Sequence, residues 1–558
     1  MLRRASGSFG WIALAAGIAL MLRASPPARA QGYPIWTVDG PSVGSRIGGS
    51  VASAGDVDAD GLPDVVLGGF ALARVHSGAS GALLLSLPSL PSATITVAGV
   101  GDVNGDGIPE FAIGRPDASA PGSLLDGSVS LHSGATGAAL FTTSFVQVGA
   151  RLGSSIAGPG DVNLDGVPDV VAGGNGFFVT VLSGTNGAIL YTLNSTVPQQ
   201  ALGPTVAAMG SFGGSAAPDF VVGSPGFLSF PGPATVRSGA NGAVLLSVPP
   251  PGPSDFGRAV ARAGDLDGDG ISDLIVGAPQ SDNGIFLPPP GTGLAYAFSG
   301  ATGASLFTFG GSVIGEAFGF SVAGPGDLDG DGVPDLLVGA RQATTGMTGA
   351  TPIVVGPGYV KAFSGASGLP ILTMTGIATG DRFGASLAPA GDPNGDGVPD
   401  FILGAPESDP GGLTGAGEVT VASFVGIPPS GTVLGSGCPG STGFVPRIAT
   451  SGGAPTSAGN ASFKFHLSRA LGGTLAILKI GFSSTSWLGI PLPLDLGVFG
   501  IPGCFLLVSS DIHVPVLTTA AGRAVVPAPV PSNPLLSGAT LYFQWYVVDP
   551  GPALLPGA

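Results

Sequence analysis

Asp265-Leu266-Asp267-Gly268-Asp269-Gly270-Ile271-Ser272-Asp273 places carboxylates at relative positions 1, 3, 5 and 9 of a short loop, with glycine at position 6. Alternation turns the odd side chains to one side, the glycine relieves a sharp turn, and position 7 can add its backbone carbonyl. This is the oxygen set that Ca2+ prefers; Mg2+ seldom takes an all-protein cage. Leu274-Ile275-Val276-Gly277-Ala278-Pro279 follows at once, so the loop feeds a β-strand and not the helix of an EF-hand. For one copy, an Asp-Gly turn serving turn geometry alone is the competing explanation. Repetition decides between the two.

Similar loops begin at Asp56, Asp102, Asp161, Asp327 and Asp392, which makes six. A degenerate seventh, Gly210-Ser211-Phe212-Gly213-Gly214, keeps only Asp219 and its strand, and is expected to be metal-free. The interval of roughly 46 to 65 residues suits one four-stranded propeller blade per repeat. A Gly-Ser-Val-Ala-like strand precedes each acidic loop, and a Val/Leu/Ile strand ending in Gly-Ala-Pro or a variant follows it. A third strand then runs into Ser-Gly-x-x-Gly, as at Ser77 to Gly81 and Ser299 to Gly303, and a fourth completes the unit. The last repeat stops at Glu418 to Phe424 without a fourth strand, while Tyr33 to Val38 stands alone before the first. The reading is that the N-terminal strand completes the last blade and closes the ring, removing exposed edges.

Composition agrees. In 558 residues there are 99 Gly and 52 Pro with no collagen period, alongside abundant Val, Leu, Ile and Phe, which argues for many short strands. Of the 35 acids, 21 lie in the six loops, so the formal charge of -16 belongs to the loops and not to a partner. Six Ca2+ would cancel most of it. With no basic stripe and no aromatic-basic platform, nucleic-acid binding is not expected. Residues 1–30 read as a signal peptide: Arg3 and Arg4, an apolar core from Trp11 to Leu22, and Ala28-Arg29-Ala30 as cleavage site. No later apolar run is long enough for a membrane span, so the chain is expected to be exported, secreted or on the cell surface. In that oxidising setting Cys438 and Cys504 read as one disulfide, with two buried thiols as the alternative.

These repeats resemble the FG-GAP family, the seven-bladed propeller of integrin alpha subunits and of many secreted bacterial proteins. The resemblance covers roughly residues 33 to 425. It implies Ca2+ ligation in up to six loops. The implied ligands are Asp56, Asp58, Asp60, Asp64 and the carbonyl of Leu62; Asp102, Asn104, Asp106, Glu110 and Ile108; and Asp161, Asn163, Asp165, Asp169 and Val167. The later loops offer Asp265, Asp267, Asp269, Asp273 and Ile271; Asp327, Asp329, Asp331, Asp335 and Val333; and Asp392, Asn394, Asp396, Asp400 and Val398. Glu110 is longer than the usual Asp, which implies a looser site. The metal role is expected to be structural, because an ion offsets repulsion among clustered carboxylates.

The expected architecture is therefore all-β: a seven-bladed β-propeller over 31–428 followed by a small C-terminal β-sandwich over 429–558. Strands are expected there at Ala461 to Leu467, Thr474 to Phe482, Cys504 to Val508 and Thr540 to Val548. This tail is similar to C-terminal modules of repetitive exported bacterial proteins. His76 and His132 occupy a position that other repeats fill with Leu182, Arg237, Phe298 and Phe363; a place shared with Leu and Phe is a strand position, so they read as strand residues. No nucleophile elbow or His/Asp pattern stands out, and an enzyme is not expected. The favoured function is a binding or adhesion module with an unknown protein or glycan ligand. The ligand would dock on the face opposite the metal loops, where long connections such as Gln280 to Gly293, Arg341 to Gly358 and Glu407 to Gly417 lie. The alternatives are a carbohydrate-active exported protein, which would need clustered carboxylates on that face, and a structural envelope protein. Asp282, Glu407 and Asp409 read as scattered.

Overall fold

In the computed structural model the described residues are 32–424, except 88–93, 119–125, 145–148, 175–177, 196–204, 226–231, 253–254, 280–290, 314, 343–345, 349–350, 354–355 and 396; past residue 446 only strands are described. The expected signal peptide, the Cys438/Cys504 pair and Asp396 lie outside them.

Seven four-stranded antiparallel sheets follow one another, and together they form a seven-bladed propeller. In the first six, the strands run in chain order, as in Ser50–Gly55, Asp64–Gly68, Ala73–His76 and Leu83–Leu87. The seventh joins the two ends. Ser386–Gly391, Asp400–Ala405 and Glu418–Phe424 supply its first three strands, and Gly32–Asp39 pairs antiparallel with Glu418–Phe424 as its fourth.

Burial explains the sequence pattern. Second strands such as Asp64–Gly68, Asp169–Gly173 and Asp335–Ala340 are buried at every position, because each is covered by a blade on either side. Such a strand must be apolar on both faces, so it shows a continuous hydrophobic run and no alternation. The fourth strands lie at the rim and are half exposed, as in Ala139–Ser144. Among the described residues the apolar core divides into seven clusters, one at each blade junction. The cluster that closes the ring joins Trp36, Ile47, Val51, Val65 and Leu67 to Ala388, Ile402, Val419 and Val421. Backbone pairing between Ile47 and Gly417 reinforces it, as does the Ser386 hydroxyl donating to the Gly48 carbonyl at 2.7 Å.

Past residue 446 the described strands form two three-stranded antiparallel sheets and two short two-stranded ones, Ser486–Trp487 with Ile490–Pro491 and Leu494–Asp495 with Phe505–Leu506. Arg447–Ser451, Lys464–Ser468 and Ala524–Pro527 make one three-stranded sheet; Ile512–Leu517, Leu475–Gly481 and Tyr542–Val547 make the other. Strands fall on the expected segments at Lys464–Ser468, Leu475–Gly481, Phe505–Leu506 and Tyr542–Val547, whereas Arg447–Ser451, Ile512–Leu517 and Ala524–Pro527 are additions to the sequence reading. Pro515 marks Ile512–Leu517 as broken, but it lies on an edge strand, where a missing N–H is tolerated.

His76 and His132 are buried strand residues. The Nδ1–H of His76 donates to the Gly81 carbonyl at 2.9 Å, which leaves Nε2 as a buried acceptor with no partner. Burial pushes its pKa down, and nearby Arg74 adds to the effect. A depressed imidazole pKa means the unfolded chain takes up the proton first. His76 therefore costs stability as pH falls below about 6.5, the ordinary histidine value. His76→Phe, which installs the residue found at Phe298 and Phe363, should melt with less pH dependence between pH 7.5 and 5 than the parent. Equal pH dependence in thermal unfolding of the two proteins would refute the assignment.

Candidate metal loops

Each acidic loop joins the first strand of a blade to the second, and its backbone N–H groups turn onto its carboxylates. The position-6 glycine donates to the position-1 aspartate at 2.7–2.9 Å, as Gly61 does to Asp56 and Gly166 to Asp161. Position 7 donates to position 5, as Leu62 does to Asp60 and Ile271 to Asp269, both at 2.8 Å. The loops are thus organised around inward-facing oxygens by local bonding alone.

Position 9 does a second job that the sequence reading did not assign. Asp64, Asp169, Asp273 and Asp335 are fully buried. One oxygen of each accepts the N–H of position 2 (Val57, Val162, Leu266, Leu328) at 2.7–2.9 Å. The other accepts the glycine N–H of the Ser-Gly turn (Gly78, Gly184, Gly300, Gly365) at 2.7–2.9 Å. The acidic loop and the turn between the third and fourth strands therefore share one face and are stapled through one carboxylate. The fourth blade isolates this role. There Asp219 is buried and bonded in the same way to Phe212 and Gly239, although the other acids are gone, and the Ser215 hydroxyl donates to it as well.

The carboxylates also converge. Ligand oxygens of Asp56, Asp58 and Asp64 lie within 4.8 Å of one another, as do those of Asp265, Asp267 and Asp269, and those of Asp327, Asp329 and Asp335. Three hard oxygens at that spacing could hold a metal ion. Burial pushes Asp335 up to about 7 and Asp64 and Asp273 up to about 6, against the stabilising backbone bonds. Asp169 and Glu110 are also raised by burial. Burying anions in this way is costly unless a cation sits nearby. In the second loop Glu110 accepts the N–H groups of Val103 and Asn104, as the position-9 aspartates do in other loops, and its Oε1 accepts the Asn104 amide. That loop is not among the converged clusters. Asp165 and Asn163 are joined by a side-chain bond in the third loop, and Asn394 bonds Asp400 in the seventh.

The opposite face carries the connections between second and third strands and between blades. Glu407 and Asp409 are not scattered there. They line one depression with Asp381, Arg382, Gln342 and Thr414, between the sixth and seventh blades. Glu407 forms ion pairs with Arg46 at 3.4 Å and with Arg382 at 3.5 Å, while Asp409 accepts the Gly415 N–H. The contact is tertiary, between positions tens of residues apart, and no local pattern announces it. Among the described residues no helix is long and apolar enough to cross a membrane.

The model of the FG-GAP repeat matches residues 256–298, 318–355 and 383–421. These are the fifth, sixth and seventh blades up to their third strands. Phe256-Gly257, Phe318-Gly319 and Phe383-Gly384 begin the matches, ahead of the acidic loops. The chain is 36% identical over 153 residues to integrin alpha-PS2 of Drosophila melanogaster, covering 27% of this chain and 10% of that one. It is 31% identical over 153 residues to integrin alpha-V of Gallus gallus, covering 27% and 14%. It is 40% identical over 94 residues to integrin alpha-IIb of Homo sapiens, covering 16% and 8%. The matched stretch thus spans no more than 14% of the length of any of these three relatives. The chain carries FG-GAP repeats on a seven-bladed propeller and, over stretches of 94 to 153 residues, is similar to integrin alpha chains.

Proposed function

We propose that this protein is an exported, Ca2+-stabilised binding module that takes a protein or glycan ligand on the face opposite its metal loops. The observation that carries the metal half is the convergence of three acidic clusters in three different blades, each built on positions 1 and 3 with position 9 or position 5 as the third. Six loops hold Ca2+, through the residues at positions 1, 3, 5 and 9 and the position-7 carbonyl. The ion supplies positive charge that relieves carboxylate repulsion and ties the first strand of a blade to the second. The fourth blade, with Asp219 alone, needs none.

The binding half rests on the opposite face. Apolar side chains stand exposed at the tips of its connections: Val43, Phe70, Val313, Ile377 and Leu413, with Ile377 90% and Val43 66% exposed. Apolar tips beside a polar depression suit partner docking. Similarity to integrin alpha chains agrees with a binding role. The gathering of Asp381, Glu407 and Asp409 is the specific observation in favour of the second reading, a carbohydrate-active protein.

Removing Ca2+ with a chelator should lower the melting temperature on the order of 10 °C, because an ion at a hundredfold excess over its dissociation constant adds about 2.7 kcal/mol per site. Readdition of Ca2+ should restore it. An unchanged melting curve would defeat the metal assignment. A screen of glycans and proteins with and without Ca2+, repeated with Glu407→Gln and Ile377→Ser, tests the docking face. Binding that ignores both substitutions would place the ligand elsewhere.

A further inference from the structure

Around the metal face the loops touch one another in a regular way. The residue before each loop is a glycine, and the residue before each position-9 acid is a proline in six of the seven blades. The glycine of one blade lies under the proline of the next. A Cβ built on Gly264 would come within 2.6 Å of Pro334, one on Gly326 within 2.9 Å of Pro399, and one on Gly391 within 2.9 Å of Pro63. The series continues across the ring closure, with Gly55 within 2.7 Å of Pro109 and Gly101 within 3.4 Å of Pro168. Gly160 stands in the same way within 3.0 Å of Pro218 in the fourth blade. At the next junction the pattern fails. Ser272 replaces the proline, and the exposed Arg262 lies beside Gly210 and donates its Nε–H to the Ser272 hydroxyl at 2.8 Å. The break falls where the preceding loop has lost its acids.

Resting on the Ca2+ reading above, we propose that the six loops bind Ca2+ as one coupled chain, running from the fifth blade through the sixth, seventh, first and second to the third. Each glycine is joined directly to the position-1 ligand of its own loop, and each proline to the position-9 ligand of the next. A loop that relaxes on losing its ion therefore displaces a residue seated against the neighbouring cage. Close packing leaves little slack at such contacts, so the arrangement of one loop biases the next. Typical coupling between sites corresponds to about 5- to 150-fold in affinity. The chain is open and not circular, because the fourth-to-fifth junction has neither a second ion nor the proline.

The test is calorimetric titration of the full chain with Ca2+ alone as probe. The parent should bind with a Hill coefficient above 1. Pro399→Ala, which opens the sixth-to-seventh junction without touching a ligand, should keep the stoichiometry and lower the coefficient. Ser272→Pro, a residue the other loops accept at that place, should change neither. Should Pro399→Ala perturb folding, a second pair decides. Asp329→Asn with Asp331→Asn disables an interior loop and should weaken Ca2+ at the remaining sites several-fold. Asp267→Asn with Asp269→Asn disables the end loop and should weaken them less. Independent sites in the parent, or equal effects from the two loop knockouts, would overturn the coupling while leaving Ca2+ binding intact. Absence of any binding would overturn the Ca2+ reading itself.

Discussion

Replacing Asp219 with alanine should cost about 3–5 kcal/mol of stability, and the loss should be the same in chelator as in Ca2+. Asp219 is fully buried and accepts the Phe212 N–H at 2.9 Å, the Gly239 N–H at 3.0 Å and the Ser215 hydroxyl. Alanine strands the Phe212 and Gly239 N–H groups away from water, while the Ser215 hydroxyl keeps the Ala217 carbonyl, and a buried donor without an acceptor costs about 1–3 kcal/mol. Asp335→Ala gives the contrast. It loses the same staple to Leu328 and Gly365 and, on the reading above, a metal ligand too. Its deficit should therefore be larger in Ca2+ than in chelator. Denaturant unfolding of both variants in both conditions measures the difference. A loss below about 1 kcal/mol for Asp219→Ala would show that position 9 is not a structural staple.

Trp36→Ala should cost about 3–5 kcal/mol and should open the ring at its seam. Trp36 lies on the N-terminal strand, is buried in the cluster that joins the seventh blade to the first, and donates its indole N–H to the Gly78 carbonyl at 2.6 Å. Gly81 of the first blade sits against the indole face at 3.0 Å from a Cβ position. Truncation therefore leaves a cavity and an unpaired carbonyl where the closing strand packs on the first blade, beside its pairing with Glu418–Phe424. Deleting residues 32–39 should act more strongly, because Glu418–Phe424 then becomes an unprotected edge. Thermal unfolding and light scattering follow the two effects. A parent-like melting temperature for Trp36→Ala would mean that the N-terminal strand is not what closes the propeller.

Much of the molecule is legible in its residues because repeats expose local rules. The acidic loop, the Ser-Gly turn and the buried second strand each depend on chemistry within about ten residues. The missing fourth strand of the last repeat, set against the surplus strand at the start, was enough to predict the pairing of Gly32–Asp39 with Glu418–Phe424. The tail was less legible. Its strands do not repeat, and Pro515 on an edge masked one of them.

What the sequence determined by itself is the propeller, its blade count, its closing strand and the position of the acidic loops, since alternation and turn geometry act between near neighbours. Only the tertiary structure decided that the position-9 carboxylate also fastens the distant turn of its blade, as Asp64 does with Gly78. It alone set Pro63 against Gly391 across the seam and brought Asp381, Glu407 and Asp409 to one depression. Those relations follow from how blades pack around a common axis, and packing joins residues that no local spacing connects.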